Sequence, residues 1–572
     1  RFVPSTPVPM KLAPLSAVAF AIGATAAAQD VYTVDGIQVS ILGRSLVALP
    51  DLDGDGIAEW ASGEPRYALT RGRVRVHSGA TGAMRFEIVG DVDEMFGVDV
   101  VGVGDLNGDG VPDLAVGSEY DSRTLPTAGR ASIHSGVDGA LIRELGSPGL
   151  EDRHGAAIVA MDDVDGDGVP DVAVTTLRED GATFNVGAVR AYSGATGAEL
   201  YRVEGDTAND LFGVTLALGD DLDGDGLRDL LVGDTADTPG EVHVLSAATG
   251  STLLRIQAND LSESSRFGST IENVGDQDGD GIDDLLVGAP SDSTSAHLAG
   301  LVRLVSGATG GTLLEWQGLT LEDALGSSLG SVADVDGDGR RDFVVSARRA
   351  DLGDARTGYV SVFSSVDGAR LRMWIGRPGS EYGTDVAVLG DANGDGVDDV
   401  LIGALASTSG APTPHRVHLA SGAFSTARTF CHATAALGCP CGTPSDEGGC
   451  RNSDGESAKL FAHGSTSLAT DDVTFHAVDL DPLGFLMLVM GTGSGQTPVG
   501  NGVLCLGGTL TRTTPVFYGI TPPTVRIGPG LPEQLQISAG TTTYFQGWYR
   551  DTQDPCGGGS NLTSALAIRW AP

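Results

Sequence analysis

Seven times along this chain a nine-residue stretch reads Asp-x-[Asp/Asn]-Gly-Asp-Gly-x-x-[Asp/Glu], beginning at Asp51, Asp105, Asp163, Asp221, Asp276, Asp334 and Asp391. Acids on alternate residues of a short loop are suited to coordinating a hard cation through oxygen. Ca²⁺ takes six to eight oxygens at about 2.3–2.6 Å, and a single loop supplies most of them. In the first copy Asp51, Asp53 and Asp55 offer carboxylates at positions 1, 3 and 5, Ile57 a carbonyl at position 7 and Glu59 a carboxylate at position 9. The second and third sets are Asp105, Asn107, Asp109, Val111, Asp113 and Asp163, Asp165, Asp167, Val169, Asp171. The fourth and fifth are Asp221, Asp223, Asp225, Leu227, Asp229 and Asp276, Asp278, Asp280, Ile282, Asp284. The last two are Asp334, Asp336, Asp338, Arg340, Asp342 and Asp391, Asn393, Asp395, Val397, Asp399. Glycines such as Gly54 and Gly56 allow the partly left-handed turns that wrap a backbone around an ion. Without the ion, so many close carboxylates repel one another.

An EF-hand needs a bidentate Glu at position 12 and flanking helices. Position 12 is instead Ser62, Val116, Val174, Val232, Val287, Val345 and Ile402, mostly within strand-like runs. Position 9 is therefore expected to close the shell. Asn107 and Asn393 remove a charge from two loops, which should bind more weakly, and Arg340 and Arg341 should crowd the sixth.

The loops are spaced 54 to 58 residues apart, and a larger unit surrounds each. A bulky residue and a glycine come first, as in Phe96-Gly97, Phe212-Gly213, Phe267-Gly268 and Tyr382-Gly383, with His154-Gly155 a variant. A short apolar strand enters the loop, a second leaves it, a third alternates and stops at a Gly-Ala-Thr-Gly type of turn, and a fourth follows. Four short strands per repeat is the pattern of a propeller blade, and seven such units fill residues 30–424. The seventh unit has no convincing fourth strand. Val31-Tyr32-Thr33-Val34-Asp35-Gly36 matches Leu200-Tyr201-Arg202-Val203-Glu204-Gly205 position for position. Residues 31–35 are therefore expected to supply the missing outer strand and remove an exposed edge.

The pattern resembles the FG-GAP repeat family, the blades of integrin α-subunit propellers and of many secreted bacterial proteins. The resemblance covers roughly residues 30–424 and implies a seven-bladed β-propeller with a metal loop between the first two strands of each blade. In integrins only some blades carry metal; here all seven have the loop, so up to seven Ca²⁺ are implied. No partner subunit, transmembrane helix or cytoplasmic tail of the integrin kind is visible.

The 572 residues carry a net charge of −41, which excludes nucleic acid and an anionic membrane surface as partners because both would repel the chain. Loop positions 1, 3, 5 and 9 hold 26 of the 76 acids, and seven Ca²⁺ would bring the charge to −27. Met10-Lys11, the apolar run to Ala28 and the ending Ala26-Ala27-Ala28 read as a signal peptide over 1–28, with Met10 the true start and Gln29 the mature N-terminus. No later stretch reaches the length of a membrane span. A secreted or cell-surface protein with no membrane span in its mature chain is expected, organised as a propeller over 29–424, a linker over 425–430 and a C-terminal domain over 431–572.

All six cysteines fall in that last region: Cys431, Cys439, Cys441, Cys450, Cys505 and Cys556. An even number in an exported chain points to disulfides, with a zinc site from the first four as the alternative. Alternating runs such as Val473–Val478 suggest a β-sandwich, so the whole chain is all-β. Its end, with Trp548 and Tyr549, resembles a module found on large secreted bacterial proteins; the two aromatics are read as core residues rather than a sugar platform.

No catalytic constellation emerges. His77, His134, His243 and His418 fall in one third-strand slot of different repeats, which marks repeat position rather than chemistry. There is no thermolysin-like His pair and no Gly-x-Ser-x-Gly elbow. The expected function is non-enzymatic, calcium-dependent binding or adhesion to an extracellular protein or glycan. A polysaccharide-cleaving hydrolase or lyase on a propeller, or a structural envelope component, are the alternatives.

Overall fold

A computed structural model describes residues 30–36, 42–405 and 415–420, apart from 69, 93, 124, 147–148, 182–183, 208, 210, 236–238, 336–337, 352–355, 378 and 395–396. Beyond these it describes 428–431, 459–463, 474–478, 484–499, 502–513, 515–518, 525–527, 535–538, 541–549 and 561–569. The expected targeting segment, Asp336, Asp395, Cys439, Cys441, Cys450 and Cys556 lie outside the described residues.

The described residues from 30 to 420 build seven four-stranded antiparallel sheets, six of them in sequence order from inside to outside. Blade one runs Ser45–Ala48, Trp60–Gly63, Arg73–His77, Met84–Val89, and blade two Val100–Gly104, Asp113–Gly117, Ala131–His134, Leu141–Leu145. Blade three is His154–Ala160, Val172–Thr176, Ala188–Tyr192, Glu199–Glu204, and blade four Thr215–Leu218, Leu230–Asp234, Glu241–Leu245, Thr252–Gln257. Blade five is Thr270–Gly275, Asp284–Ala289, Leu301–Val305, Thr312–Gln317, and blade six Leu325–Val332, Asp342–Ala347, Tyr359–Phe363, Arg370–Ile375. Blade seven takes Val386–Gly390, Asp399–Ala404 and Arg416–Ala420 from one end of the domain and Asp30–Asp35 from the other. The innermost strand of each blade touches those of both neighbours, blade seven touching blade one, so the sheets form a closed ring. This is a seven-bladed β-propeller.

Burial follows from that stacking. Second and third strands are covered on both faces by adjacent blades, so Asp113–Gly117 and Ala188–Tyr192 are buried throughout. Outer strands cover one face and meet water on the other, and Met84–Val89 alternates accordingly. The apolar clusters lie between blades: Leu49, Ala61, Val74 and Val76 of blade one pack on Phe96, Val100, Leu114 and Val116 of blade two. The glycine after each bulky residue marks a close approach. A Cβ on Gly63 would run into the Gly97 carbonyl of the next blade, and the contact recurs at Gly117–Gly155, Gly233–Gly268 and Gly288–Gly326.

Ring closure uses the strand expected from the sequence. Thr33 faces His418, Val34 faces Val417 and Asp35 faces Arg416 in an antiparallel ladder. Tyr32 and Val34 pack into the cluster of Leu42, Leu46, Trp60, Leu389, Leu401 and Leu419 that joins blades seven and one. Tyr32 also lies on the turn glycine Gly82 of blade one, as Tyr201 lies on Gly250 one blade further on from its own.

The described strands of the C-terminal region form a six-stranded and a three-stranded sheet. Phe475 of one sheet meets Phe545 of the other at 4.6 Å between ring centroids, the contact expected of facing sheets in a sandwich. Tyr549 is fully buried, as a core aromatic, and Trp548 packs edge-on against Phe485 at 5.8 Å. Strand Arg428–Cys431 pairs with Asn561–Arg569 and begins inside the stretch read as linker.

Candidate metal centres

Each acidic loop connects the innermost strand of a blade to its second strand, so all seven lie at the same end of the ring. The described glycines at loop positions 4 and 6 have φ between +76° and +93°. A Cβ at any of them would meet nothing within 4 Å, so the requirement for glycine is the sign of φ and not lack of space.

The acids divide their oxygens in a repeating way. At position 1, Asp163 accepts from Gly166 N at Oδ1 and from Gly168 N at Oδ2, both at 2.8 Å. At positions 3 and 5 one oxygen each is used: Asp165 Oδ1 accepts from Asp167 N at 3.1 Å and Asp167 Oδ1 from Val169 N at 2.9 Å. The second oxygen of each carries no backbone bond of this series. Backbone bonds from Gly56 and Gly54 hold Asp51 below the ordinary carboxylate range, and those from Gly110 and Gly108 do the same for Asp105, so these groups stay ionised. Ligand oxygens of Asp51, Asp53, Asp55 and Glu59 lie within 4.8 Å of one another. The same holds for Asp163, Asp165 and Asp171, for Asp221, Asp223 and Asp225, and for Asp276, Asp278 and Asp284. Such all-oxygen sets fit a hard divalent cation.

Position 9 has a second task that spacing alone does not reveal. Every one of these acids is fully buried. One oxygen of Asp171 accepts from Val164 N in its own loop at 2.7 Å, and the other from Gly194 N, in the turn between the third and fourth strands, at 2.8 Å. Asp113 and Asp284 repeat the pattern with Gly136 and Gly307. The acid braces two turns whether or not it also meets an ion. Burial pushes Asp229 up to about 6 and raises Asp113, Asp171 and Asp284. In blade one the longer Glu59 accepts from Leu52 N, while its Oε1 is buried without a hydrogen-bond partner.

Arginines modify individual loops. Arg85, on the outer strand of blade one, pairs with Asp53 and brings Nη1 to 3.6 Å from Glu59 Oε1, a cation already among the expected ligands. Nothing in the loop sequence announces it, because Arg85 lies 26 residues beyond Glu59. Arg340 and Arg341 do not crowd the sixth loop. Arg340 reaches the Gln277 carbonyl of the fifth loop, and Arg341 turns back to Ser331, with Nε 2.8 Å from its Oγ. Neighbouring loops are also joined: Arg228 N of the fourth donates to Asp162, just before the third, at 2.9 Å.

Residues 96–134 and 325–363 run from the bulky-residue–glycine pair through the acidic loop to the third strand of blades two and six. Both stretches match the family model described as FG-GAP repeat. Integrin alpha-V of Gallus gallus is 33% identical over 210 residues, 34% of this chain and 20% of that protein. Integrin alpha-4 of Xenopus laevis is 35% identical over 167 residues, 27% of this chain and 16% of that protein. This is an integrin-α-like FG-GAP β-propeller. The chain spans a fifth or less of the length of these two curated relatives. Among solved structures, Sqt1 of Saccharomyces cerevisiae aligns at 13% identity and a TM-score of 0.42, over 68% of this chain and 98% of that one.

In this FG-GAP propeller the histidines are structural, but they do not share one slot. His77 and His134 face Trp60 and Leu114, directly after position 9, whereas His243 and His418 face Val232 and Ile402 two residues further along. The second-to-third-strand loops differ in length, and the slot is decided by pairing. Burial pushes His77 and His134 down to about 4 and His154 to about 3, so all three are neutral at pH 7. A fifth cluster, Asp234, Glu241 and His243, stands apart from the loops. His243 occupies the slot of Arg75, Arg190 and Arg303, each held by acids in its own blade, and Glu241 Oε1 lies 2.7 Å from its Nε2. The cluster fills the place that an arginine and its acids take in those other blades.

Proposed function

We propose that the chain is an exported, calcium-stabilised propeller that binds an extracellular protein or carbohydrate without turning it over. The observation that carries this reading is one acidic loop repeated seven times at one end of a closed ring, with Asp165 and Asp167 of the third loop each using a single oxygen in the loop's backbone bonds. Identical sites around a ring suit a scaffold, whereas catalysis needs a site unlike its neighbours. Among the described residues no helix is long and apolar enough to cross a membrane.

The finer parts of the reading belong with it: a signal peptide over 1–28, a propeller over 29–424, a Cys-containing domain over 431–572 and Ca²⁺ in up to seven loops. Disulfides among Cys431, Cys439, Cys441, Cys450, Cys505 and Cys556 are part of it too, supported by the burial of Cys505 and the lack of any free cysteine among the described residues. Calcium titration by calorimetry, melting with and without EDTA, and a combined glycan and protein binding array test the reading. An unchanged melt in EDTA removes calcium from it; turnover of a polysaccharide removes the binding-only part.

A further inference from the structure

The acidic loops of blades three, four and five are wired to one another by residues just outside the ligand positions. Asp162 directly precedes position 1 of the third loop, and Asp220 that of the fourth. Arg228 N, at position 8 of the fourth loop, donates to Asp162 Oδ2 at 2.9 Å. Asp283 N, at position 8 of the fifth, donates to Asp220 Oδ2 at 3.2 Å. The same two acids are tied into their own loops through the backbone. Asp171 N, at position 9, donates to Asp162 O at 3.4 Å, and Asp229 N to Asp220 O at 3.1 Å. The bonds form one series. Position 9 of a loop meets the residue before that loop, whose carboxylate meets position 8 of the next.

The amides gripped in this way belong to ligand groups. Leu227 and Ile282 are the residues expected to offer a carbonyl at position 7, and each shares a peptide plane with the N–H of Arg228 or Asp283. In a planar trans peptide the C=O and N–H point in opposite directions, so a carboxylate holding the N–H fixes where the carbonyl oxygen points. It also polarises the peptide, which makes that oxygen a better partner for a positive charge. Ordering of the third loop steadies Asp162, Asp162 holds a ligand of the fourth, and Asp220 passes the same effect to the fifth. Ligands already held in place need not be ordered again, so filling one loop favours the next.

The sequence sets the limits of the series. The residues before the other five loops, Pro50, Gly104, Gly275, Ala333 and Gly390, have no carboxylate. Pro112 and Pro170, at position 8 of the second and third loops, have no N–H to give. Pro170 instead packs on Gly104, where a Cβ would stand 3.3 Å from its Cγ. The sixth and seventh loops are joined by other bonds, Arg340 to the Gln277 carbonyl and Ala333 N to Asp398 Oδ2 at 2.7 Å. There the side chain of position 7 or 8 makes the contact, not the position-8 amide. Each of the three wired loops brings at least three ligand oxygens within 4.8 Å of one another, and so does the first loop.

We propose that the third, fourth and fifth loops fill with calcium as one cooperative set, while the first fills on its own. Asp162 and Asp220 are the coupling residues, acting through the position-7 peptide of the next loop. Coupling rests on the calcium reading above and gives it an order of filling.

The test is a calorimetric calcium titration of the full chain after stripping with EDTA, with bound ions counted by equilibrium dialysis. D55A and D167A remove the exposed position-5 acid of the first and third loops respectively. D55A should lose one ion and leave the uptake of the rest unchanged. D167A should also lose one ion, and two of the remaining ions should then need at least about fivefold more calcium. D162A/D220A keeps every ligand, so it should bind as many ions as wild type, with the Hill coefficient of the set falling to about 1. If D162A/D220A melts below wild type in EDTA, the comparison of D55A with D167A decides alone, because both residues are exposed and outside the series. Matching isotherms for D55A and D167A, or undiminished steepness in a D162A/D220A that melts like wild type, overturn the proposal and leave the calcium reading standing. Absence of calcium uptake by the wild type removes both.

Discussion

Trp60 donates its indole N–H to the hydroxyl of Tyr32 at 2.8 Å, and that bond ties the second strand of blade one to the strand completing blade seven. The two residues are neighbours only because the ring closes. Tyr32 is pinned three times over, by its ladder to Arg416–Ala420, by packing on Gly82 and by this bond. Removing residues 30–36 should therefore lower the melting temperature sharply, since it strips the burial of Tyr32 and Val34, worth about 1.5–3 kcal/mol each, and exposes an edge. W60F, which keeps the ring and loses the donor, should cost about 1 kcal/mol in denaturant unfolding. A melt unaltered by the deletion would show that the ring does not depend on its latch.

The buried acid at position 9 and the exposed acid at position 3 should behave differently. Asp171 holds two backbone N–H groups, so D171A should cost about 2–4 kcal/mol in EDTA as well as in calcium. Asp165 is exposed and braces little, so D165A should melt like wild type in EDTA and lose only the extra stability that calcium confers. Equal loss by D165A in both conditions would assign position 3 to the fold rather than to the ion.

The first loop carries its own competitor. Arg85 sits against Asp53, so a cation entering that loop must displace or share it. R85Q should raise calcium affinity at one site by up to about fivefold in a calorimetric titration, the scale of a partly exposed ion pair. A titration superimposable on that of wild type would mean that the guanidinium swings aside without cost.

Asp99 and Asp385 give the ring a pH dependence separable from that of the loops. Burial pushes both up to about 6, above the unfolded value of 3.8. A raised carboxylate pKa means the folded state holds the proton more tightly. The stability this contributes is complete below about pH 4 and is lost as pH rises through 6. D99N cannot titrate, so its penalty relative to wild type should shrink between pH 4.5 and 7, by at most about 3 kcal/mol. A penalty constant across that range would place the Asp99 pKa near its unfolded value.

Much of this protein was decided locally. The period of the acidic loops, the glycines that must take positive φ and the alternation of short apolar strands fix seven blades, because each depends on residues within one repeat. Even closure could be read, since Val31–Gly36 copies the outer strand of another blade. The rest depends on distances between residues far apart in the chain. Position 9 closes the loop's pattern in sequence, but only the fold carries the next turn to its second oxygen. Arg85 enters the first loop because an outer strand returns alongside it, whereas Arg340 reaches a carbonyl of the neighbouring blade and Arg341 reaches Ser331 on the first strand of its own blade. The histidines separate into two slots because pairing, not residue count, sets register.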